Sequence, residues 1–537
     1  MGNDRRLWGL AIGAAGLLAG LALAPVGLPL LLWPALALLW ALAGSPPPGL
    51  GRGRGPLLAA GLWGLAAVLV SHRWLLWLHP LDWIGVPPPL SLPICLAIWL
   101  ACGLLGAALV SLWLGLMRRL DASRPSTALI GSLLWGLAEV QLARGPLFWF
   151  GLGSSALPGD RLLAGVAALA GAGAVAALQL LIAWCLWRAL APLPGRRRWL
   201  LAGLALVAAS HLAGAGALAA IAPQAGASER LLVLQPAIPT RHKFEPRQQL
   251  ALLRFLAEAQ RRTAPQASGT DSLPGPTADS PAALDPAGQG RRERGGTVLP
   301  QADRDVPMRG SISLVLPEGS LALGQPLPLP AGVEVLSGGF RQQGLGQRSS
   351  LLRFDRGELL ASGWVDKHRL VPLGEWVPLA DLWRWSGLSA VGGLEPGAPS
   401  RLLARPTGSV AVAICYELSD GAGLAAASRQ GAGWLLASAN LDPYPLLLQQ
   451  QFKALAQLRA IESGRWLVSA ANTGPSVLVD ARGSLRDQLA PGLRRSGLME
   501  LHRLSALTPY VRWGERPLLV LVLFAVGLRM CERRLSR

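Results

Sequence analysis

Hydrophobic and polar positions divide this chain into two kinds of sequence. Long, nearly uninterrupted apolar runs fill residues 7–24, 26–44, 56–71, 91–117, 127–143, 162–190 and 199–222, and a shorter one occupies 516–530. A helix crosses the hydrocarbon of a bilayer with ~20 apolar residues, so these runs predict eight transmembrane helices, the last leaning on its flanks or neighbours. Between the seventh and eighth runs the pattern changes. Short β-type runs recur at 231–234, 312–316, 332–336, 351–354, 410–415, 434–438, 466–470, 476–479 and 497–501, with helical periodicity near 245–262 and 447–463. Many strands and few helices predict an α/β sandwich with working loops at its strand ends. Residues 263–310, rich in Pro, Gly, Ser, Asp and Arg and lacking aromatics, read as a disordered insertion. The expected organisation is a seven-span membrane domain at 1–224, a soluble domain at 225–514, and a last span with its tail at 515–537.

Composition agrees with that division: 51% of the 537 residues are hydrophobic. The formal charge of +19 could suggest a nucleic-acid partner, but its location argues otherwise. Residues 229–513 hold 31 basic and 24 acidic side chains, a net +7, leaving +12 for the apolar part. That excess gathers at span ends: Arg5 and Arg6; Arg52 and Arg54; Arg118, Arg119 and Arg124; Arg196 to Arg198; Arg533, Arg534 and Arg537. These groups fall on alternate sides of the spans, as the positive-inside rule requires of cytoplasmic loops, and no nucleic-acid partner is expected. On that orientation the first helix is an uncleaved signal anchor, residues 223–514 lie outside the cytoplasm, and the eighth span returns the C-terminus.

Rare residue types narrow the chemistry. Of 50 basic side chains only Lys243, Lys367 and Lys453 are lysines, although arginine serves almost everywhere else. A lysine ammonium approaches one oxygen as a point charge and can titrate, which a guanidinium does not. Cys95, Cys102 and Cys185 lie in apolar runs and Cys531 at the end of the last, leaving Cys415 alone in the soluble part. Neither a disulfide framework nor a Cys/His metal spacing can be read, and no cofactor is expected. Cys415, in "VAICYELSD", is either a nucleophile or a small buried hydrophobe. Glu318 closes the apolar run of "SISLVLPEGS", and Lys367 sits in "WVDKHRLVPLGEWVP". Each alone has a bland reading, as a turn glutamate or a surface lysine. Together they form a chemical set: a carboxylate to take a thiol proton, a thiol to attack, and an ammonium to stabilise the oxyanion.

At these residues the sequence resembles the nitrilase superfamily, and with its flanking helices it resembles the apolipoprotein N-acyltransferase family. The resemblance rests on "LLWGLAEVQLARGPLFWFGLG", "VLQPAIPTRHKF", "LPEGS", "DKHRLVPLGEWVP", "AICYELSD", "LRAIESGRWLVSAANTG" and "LTPYVRWGERP", and spans nearly the whole chain. It implies an αββα sandwich, with Glu318 as general base and acid, Lys367 as oxyanion stabiliser and Cys415 as nucleophile. It further implies supporting roles for Glu375, Tyr416, Glu417 and Asn440. The implied reaction moves an acyl chain from a phospholipid, through a Cys415 thioester, to the α-amine of a diacylglyceryl-modified apolipoprotein. The implied setting is a monomer in the bacterial inner membrane, its catalytic domain periplasmic. Two departures stand out: Leu316 occupies a position where the family usually has Trp, and "SANLDPYPLLLQQQF" replaces an Asn-Asp segment followed by Trp, altering residues 441–446. A membrane-tethered amide hydrolase would use the same triad without needing seven preceding helices; a non-enzymatic lipid-binding protein would leave the triad accidental. Glu139 and Arg144, at the outer end of the fifth run, read as snorkelling anchors, and the resemblance adds headgroup contact or docking of the soluble domain as the alternative.

Overall fold

Apolar sequence folds first into helices α1 (Gly2–Leu21), α2 (Pro29–Gly44), α3 (Gly55–Ser71), α4 (Pro88–Arg119), α5 (Pro125–Arg144), α6 (Arg161–Ala164), α7 (Ala167–Leu190) and α8 (Arg196–Ala219). The computed structural model describes residues 2–50, 53–84, 86–192, 195–263, 312–327, 333–355, 357–372, 374–376, 393–442 and 444–535; the insertion read at 263–310 lies, apart from Thr263, outside them. Four helices, α4, α5, α7 and α8, are long and apolar enough to cross a membrane, while Arg6–Leu21, Pro29–Gly44 and Gly55–Ser71 are apolar but shorter. Leu201 and Leu212 on α8 are 64% and 74% exposed, so this helix turns apolar side chains outward, which water would oppose and lipid favours.

The sixth apolar run departs from expectation. Instead of one helix over 162–190, the chain forms α6 and then α7, and inside α7 Ala170 and Gly171 leave helical geometry, Gly171 at φ 78°. The cause is contact with the soluble domain. A Cβ on Gly171 would lie 2.5 Å from the Tyr510 ring, and the backbone N–H of Ala172 donates to Glu462 at 2.8 Å. A backbone donor freed by the break is thus satisfied from outside the helix bundle.

The soluble sequence builds β1 (Ser228–Gln235), α9 (Pro246–Thr263), β2 (Ile312–Leu321), β3 (Glu334–Gln343), β4 (Gly346–Asp355), β5 (Glu358–Asp366), β6 (Leu402–Leu403), β7 (Val410–Ile414), α10 (Gly421–Arg429), β8 (Trp434–Ala439), α11 (Leu446–Ser463), β9 (Leu467–Ala471), β10 (Val477–Val479), β11 (Leu485–Gln488), β12 (Arg495–His502) and α12 (Pro509–Trp513), before α13 (Arg516–Leu535). They form two six-stranded sheets, ordered β12-β1-β2-β3-β4-β5 and β11-β10-β9-β8-β7-β6. The central triplets β1-β2-β3 and β7-β8-β9 are parallel. Val233, Val315 and Leu336 share one core with Val412, Leu436 and Val468 of the facing sheet. Their neighbours Leu232, Leu234, Leu314 and Leu316 turn the other way, under Leu252 and Leu256 of α9. Burial on both faces explains why these strands read as unbroken apolar runs. Helix α11 covers the second sheet, completing an α/β/β/α stack.

Five elements went unread in the sequence: β5, β6, β11, the Gly/Ala-rich α10 and the short α12. The runs at 410–415 and 312–316 also change at their ends. Strand β7 stops at Ile414, so Cys415 opens a turn, whereas β2 continues to Leu321.

The soluble domain is bound to the helices by named contacts. Arg144 pairs with Glu515 at 2.6 Å and lies 3.6 Å from Asp420, while Ser419 Oγ donates to the Ala143 carbonyl at 2.8 Å. Glu139 accepts from Trp135 Nε1 at 2.9 Å and from the backbone of Leu152 at 2.8 Å, fixing the loop beneath that contact. Among the readings open for these span-end residues, Arg144 makes the interdomain contact itself and Glu139 shapes its support.

Candidate active site

The carboxyl ends of β2, β5, β7 and β8 converge on one pocket, the position at which open α/β sheets present ligands. Strand β7 is wholly buried up to Ile414; Cys415 then takes φ 55°, a left-handed conformation that costs a non-glycine residue about 1–3 kcal/mol. Glu417 holds the turn in place. Its buried carboxylate accepts from the backbone N–H of Ile414 at 2.9 Å and of His368 and Arg369 at 2.8 and 3.0 Å, and pairs with Arg401. One side chain therefore ties the Cys415 turn to the segment carrying Lys367.

Glu318 lies where β2 slips out of register with β3 between Leu316 and Leu321, with Gly319 at φ 59°. A Cβ on Gly338 of β3 would come within 2.3 Å of the Glu318 Cα, so the close approach of the two strands requires glycine there. Lys367 follows the last residue of β5, and its backbone N–H donates to Ser349 at 2.8 Å. The Lys367 ammonium, 1% exposed, donates to Glu318 Oε1 at 2.8 Å and to Glu375 Oε1 at 2.7 Å. Glu318 Oε2 accepts from the backbone N–H of Asn440 at 3.0 Å. The Asn440 side chain donates to Thr240 and accepts from Asn472, both at 2.9 Å.

All three triad residues are thus brought together, with Glu375 and Asn440 in contact with them. Tyr416 and Glu417 stand just behind: the Tyr416 hydroxyl donates to the Leu370 carbonyl, and Arg369 lies over its ring at 4.8 Å. The pocket holds about 220 Å³ and is lined also by Lys243, Phe244, Phe340, Val371, Leu394 and Tyr444. Lys243 escaped assignment from sequence, although its rarity was the available signal.

Two carboxylates face one lysine, and this imbalance sets the protonation of the site. Burial works against the Lys367 charge, but Glu318 and Glu375 hold its ammonium well above the usual lysine range. Burial also opposes ionisation of Glu318, yet Lys367 and the Asn440 N–H outweigh it and keep that carboxyl below its ordinary value. Glu375 is pushed up, by burial and then by Glu318, against the pull of Lys367. Burial, reinforced by Glu318, raises the Cys415 thiol well above its ordinary value, with Lys367 opposing. These directions favour a neutral thiol beside an ionised carboxylate, an arrangement in which proton transfer can activate a sulfur. Among the described residues no cluster of His, Cys, Asp or Glu could hold a metal ion.

An α/β/β/α sandwich with a Glu, Lys and Cys at its strand ends, joined to apolar helices, defines a carbon-nitrogen hydrolase domain built onto a membrane protein. The carbon-nitrogen hydrolase family model matches residues 343–492, a range that includes Lys367, Glu375, Cys415 and Asn440 but not Glu318. An apolipoprotein N-acyltransferase of Prochlorococcus marinus (strain MIT 9313) is 48% identical over 99% of this chain and 98% of its own length. Another, of Parasynechococcus marenigrum (strain WH8102), is 44% identical over 93% of this chain and 97% of its own. A solved amidase of the nitrilase superfamily, from Nesterenkonia, aligns at 17% identity and TM-score 0.34 over 56% of this chain and 98% of that one. The chain belongs to the apolipoprotein N-acyltransferase family. It is an acyltransferase of lipoproteins in a membrane setting, with lipid and lipoprotein substrates.

Proposed function

We propose that the Cys415 pocket transfers an acyl chain from a phospholipid to the N-terminal amine of a diacylglyceryl-modified apolipoprotein in two half-reactions. One observation carries this reading: the Lys367 ammonium bridges Glu318 and Glu375 in the pocket that the strained Cys415 turn enters. In the first half, Glu318 takes the thiol proton as sulfur bonds to the ester carbonyl carbon. Two of the three Lys367 donors are used by carboxylates, and the third serves the oxyanion. The ester C–O bond then breaks, Glu318 returns the proton to the departing lysophospholipid oxygen, and a thioester remains. In the second half, a neutral α-amine attacks that thioester, Glu318 accepts a proton from nitrogen and passes it to the leaving sulfur, and an amide forms.

The helices fit this chemistry because both substrates are held in lipid. An apolar cavity of about 230 Å³ lies among α1, α3, α4 and α5, and Trp149 and His72 stand at its wall. Trp74, two residues beyond His72, meets the pocket residue Tyr444 edge to face at 5.7 Å. The reading includes eight spans, formed by α1 to α5, α7, α8 and α13, and the domain limits 1–224, 225–514 and 515–537. It places a monomer in the bacterial inner membrane with its sandwich on the periplasmic side, because the basic span ends then face the cytoplasm.

The test is mass spectrometry of the purified protein after incubation with phospholipid alone, compared with Cys415→Ala. A hydroxylamine-labile acyl mass on Cys415, chased by a diacylglyceryl-cysteine peptide that becomes N-acylated, is the expected result. No adduct from any phospholipid would overturn the two-step reading; an adduct released only to water would make the protein a hydrolase.

A further inference from the structure

The Lys243 ammonium lies at the edge of the catalytic pocket, 5% exposed, and donates to the Glu318 main-chain carbonyl at 2.7 Å. An ammonium carries three donors, and among the described residues this carbonyl is its hydrogen-bond acceptor. Lys367 is neutralised differently, by two carboxylates in direct contact. Lys243 therefore presents, on the wall of the pocket, a charge that no anion among the described residues touches. A buried cation without a contact counter-ion is costly, and the cost falls when a ligand supplies the anion. Burial pushes Lys243 down to about 8, while Glu318, Asp442 and Cys415 favour its charge from further off.

We infer that Lys243 is the seat of the acyl donor's phosphodiester. This rests on the reading of Cys415 as the residue acylated by a phospholipid. Three features favour a lipid phosphate. The pocket combines this ammonium with the apolar Phe244, Phe340, Val371 and Leu394, matching a charged headgroup beside a chain. The turn bearing Lys243 is tethered to the helical part by Arg241, which pairs with Asp82 at 2.8 Å. A lysine also suits a phosphate approached as a point charge. The site then serves the two half-reactions unequally. The anionic donor is drawn in by Lys243, while the acceptor's ammonium form is repelled and only its neutral, nucleophilic form is admitted.

The test uses unreactive lipids on the full chain in detergent. A dialkyl ether phospholipid and the corresponding dialkylglycerol, which lacks phosphate, are titrated as protectants of Cys415 against N-ethylmaleimide, with peptide mapping as the readout and exposed Cys531 as the internal control. In the wild type the phospholipid should protect at a concentration about tenfold or more below that of the dialkylglycerol. Lys243→Gln, which can still donate to the Glu318 carbonyl but carries no charge, should erase that preference, and Lys243→Arg should retain it. If the glutamine variant does not fold, Lys243→Met takes its place. A preference that persists in the uncharged variant, or protection by both lipids weakened equally, overturns the assignment and leaves Lys243 as a positioning residue for Glu318. Equal protection by inorganic phosphate alone would mean a free-anion site and would overturn the lipid headgroup. Failure of the underlying reading is seen separately, as absence of a phospholipid-derived acyl adduct on wild-type Cys415.

Discussion

Two buried ion clusters sit at opposite ends of the same sandwich, and their difference separates chemistry from architecture. At the amino ends of β1 and β3, Arg405 joins Glu229 and Glu334, both at 2.5 Å, while Arg353 meets Glu334 at 2.6 Å. Here arginines outnumber the two carboxylates, since Arg503 also lies 3.8 Å from Glu229, and a guanidinium fork contacts oxygens in a fixed plane. At the carboxyl ends of the strands one lysine faces two carboxylates beside a thiol. Burial alone would raise Glu334, yet Arg405, Ser313 and Arg353 hold it down to about 2. Glu375, beside Lys367, is instead pushed up, as is Glu229 of the first cluster, both chiefly by burial. Each cluster thus holds one depressed and one raised carboxylate, and what sets the second apart is that its ionised member, Glu318, stands beside a thiol in a pocket.

The comparison breaks most visibly by substitution. Cys415→Ala should abolish the acyl adduct, a loss of at least about 10⁴-fold by intact-protein mass spectrometry. Lys367→Met should cost about 10²–10³-fold in the acylation rate, the scale of one oxyanion donor, and Lys367→Arg should not rescue it because a planar fork cannot occupy a point-charge position. Arg405→Met should do the reverse. It strands Glu229 and Glu334 without their shared cation, so thermal or denaturant unfolding should show a loss of about 3–5 kcal/mol while the folded enzyme still acylates.

pH distinguishes Glu334 from Glu375, with opposite signs. Glu334 has a depressed folded value, so its stabilisation is complete above the ordinary carboxylate value of 4.5 and is lost as pH falls toward about 2. Its share is about 3 kcal/mol at most, and Glu334→Gln should flatten that part of the stability curve. Glu375 is raised, so its contribution is present below its ordinary value and is lost as pH rises through the folded one. In activity, Glu375→Gln should leave Lys367 to Glu318 alone, lower the base's proton affinity further, and slow acylation about tenfold, with the acidic limb of the rate profile moved to lower pH. The smallest effect belongs to Tyr416→Phe. Losing one hydrogen bond to the Leu370 carbonyl is worth about 1 kcal/mol in stability, with a change of severalfold in acylation.

Legibility in the sequence followed the same physics. Strands β1, β2, β7, β8 and β9 were readable because burial on both faces demands unbroken apolar runs. The edge strand β5 was not: Ser362 and Gly363 interrupt its pattern, and it pairs with β4 alone in its sheet. Helix α10 was missed because "GAGLAAASR" has too few large apolar residues to show a stripe, although Asp420 caps it by accepting from Ala422 at 3.0 Å. Within the site, residue type and resemblance single out Glu318, Lys367, Cys415 and Glu375, which the fold brings to one pocket. Glu417 proved to be a brace for the Cys415 turn, and Lys243 remained unassigned because nothing local connects it to Glu318, 75 residues away.

The sequence by itself determined the division into apolar helices and a sandwich, the basic span ends, and the residue types available for thiol chemistry, since solvent preference and side-chain chemistry are properties of local composition. Only the tertiary structure decided that Lys367 is shared by two carboxylates, that Cys415 sits at a positive φ, that the sixth apolar run breaks at Gly171, and that Lys243 faces the pocket with no contact anion among the described residues. Proton positions in a buried site depend on which charges lie within a few ångströms, and those distances are set by chain segments that the sequence leaves far apart.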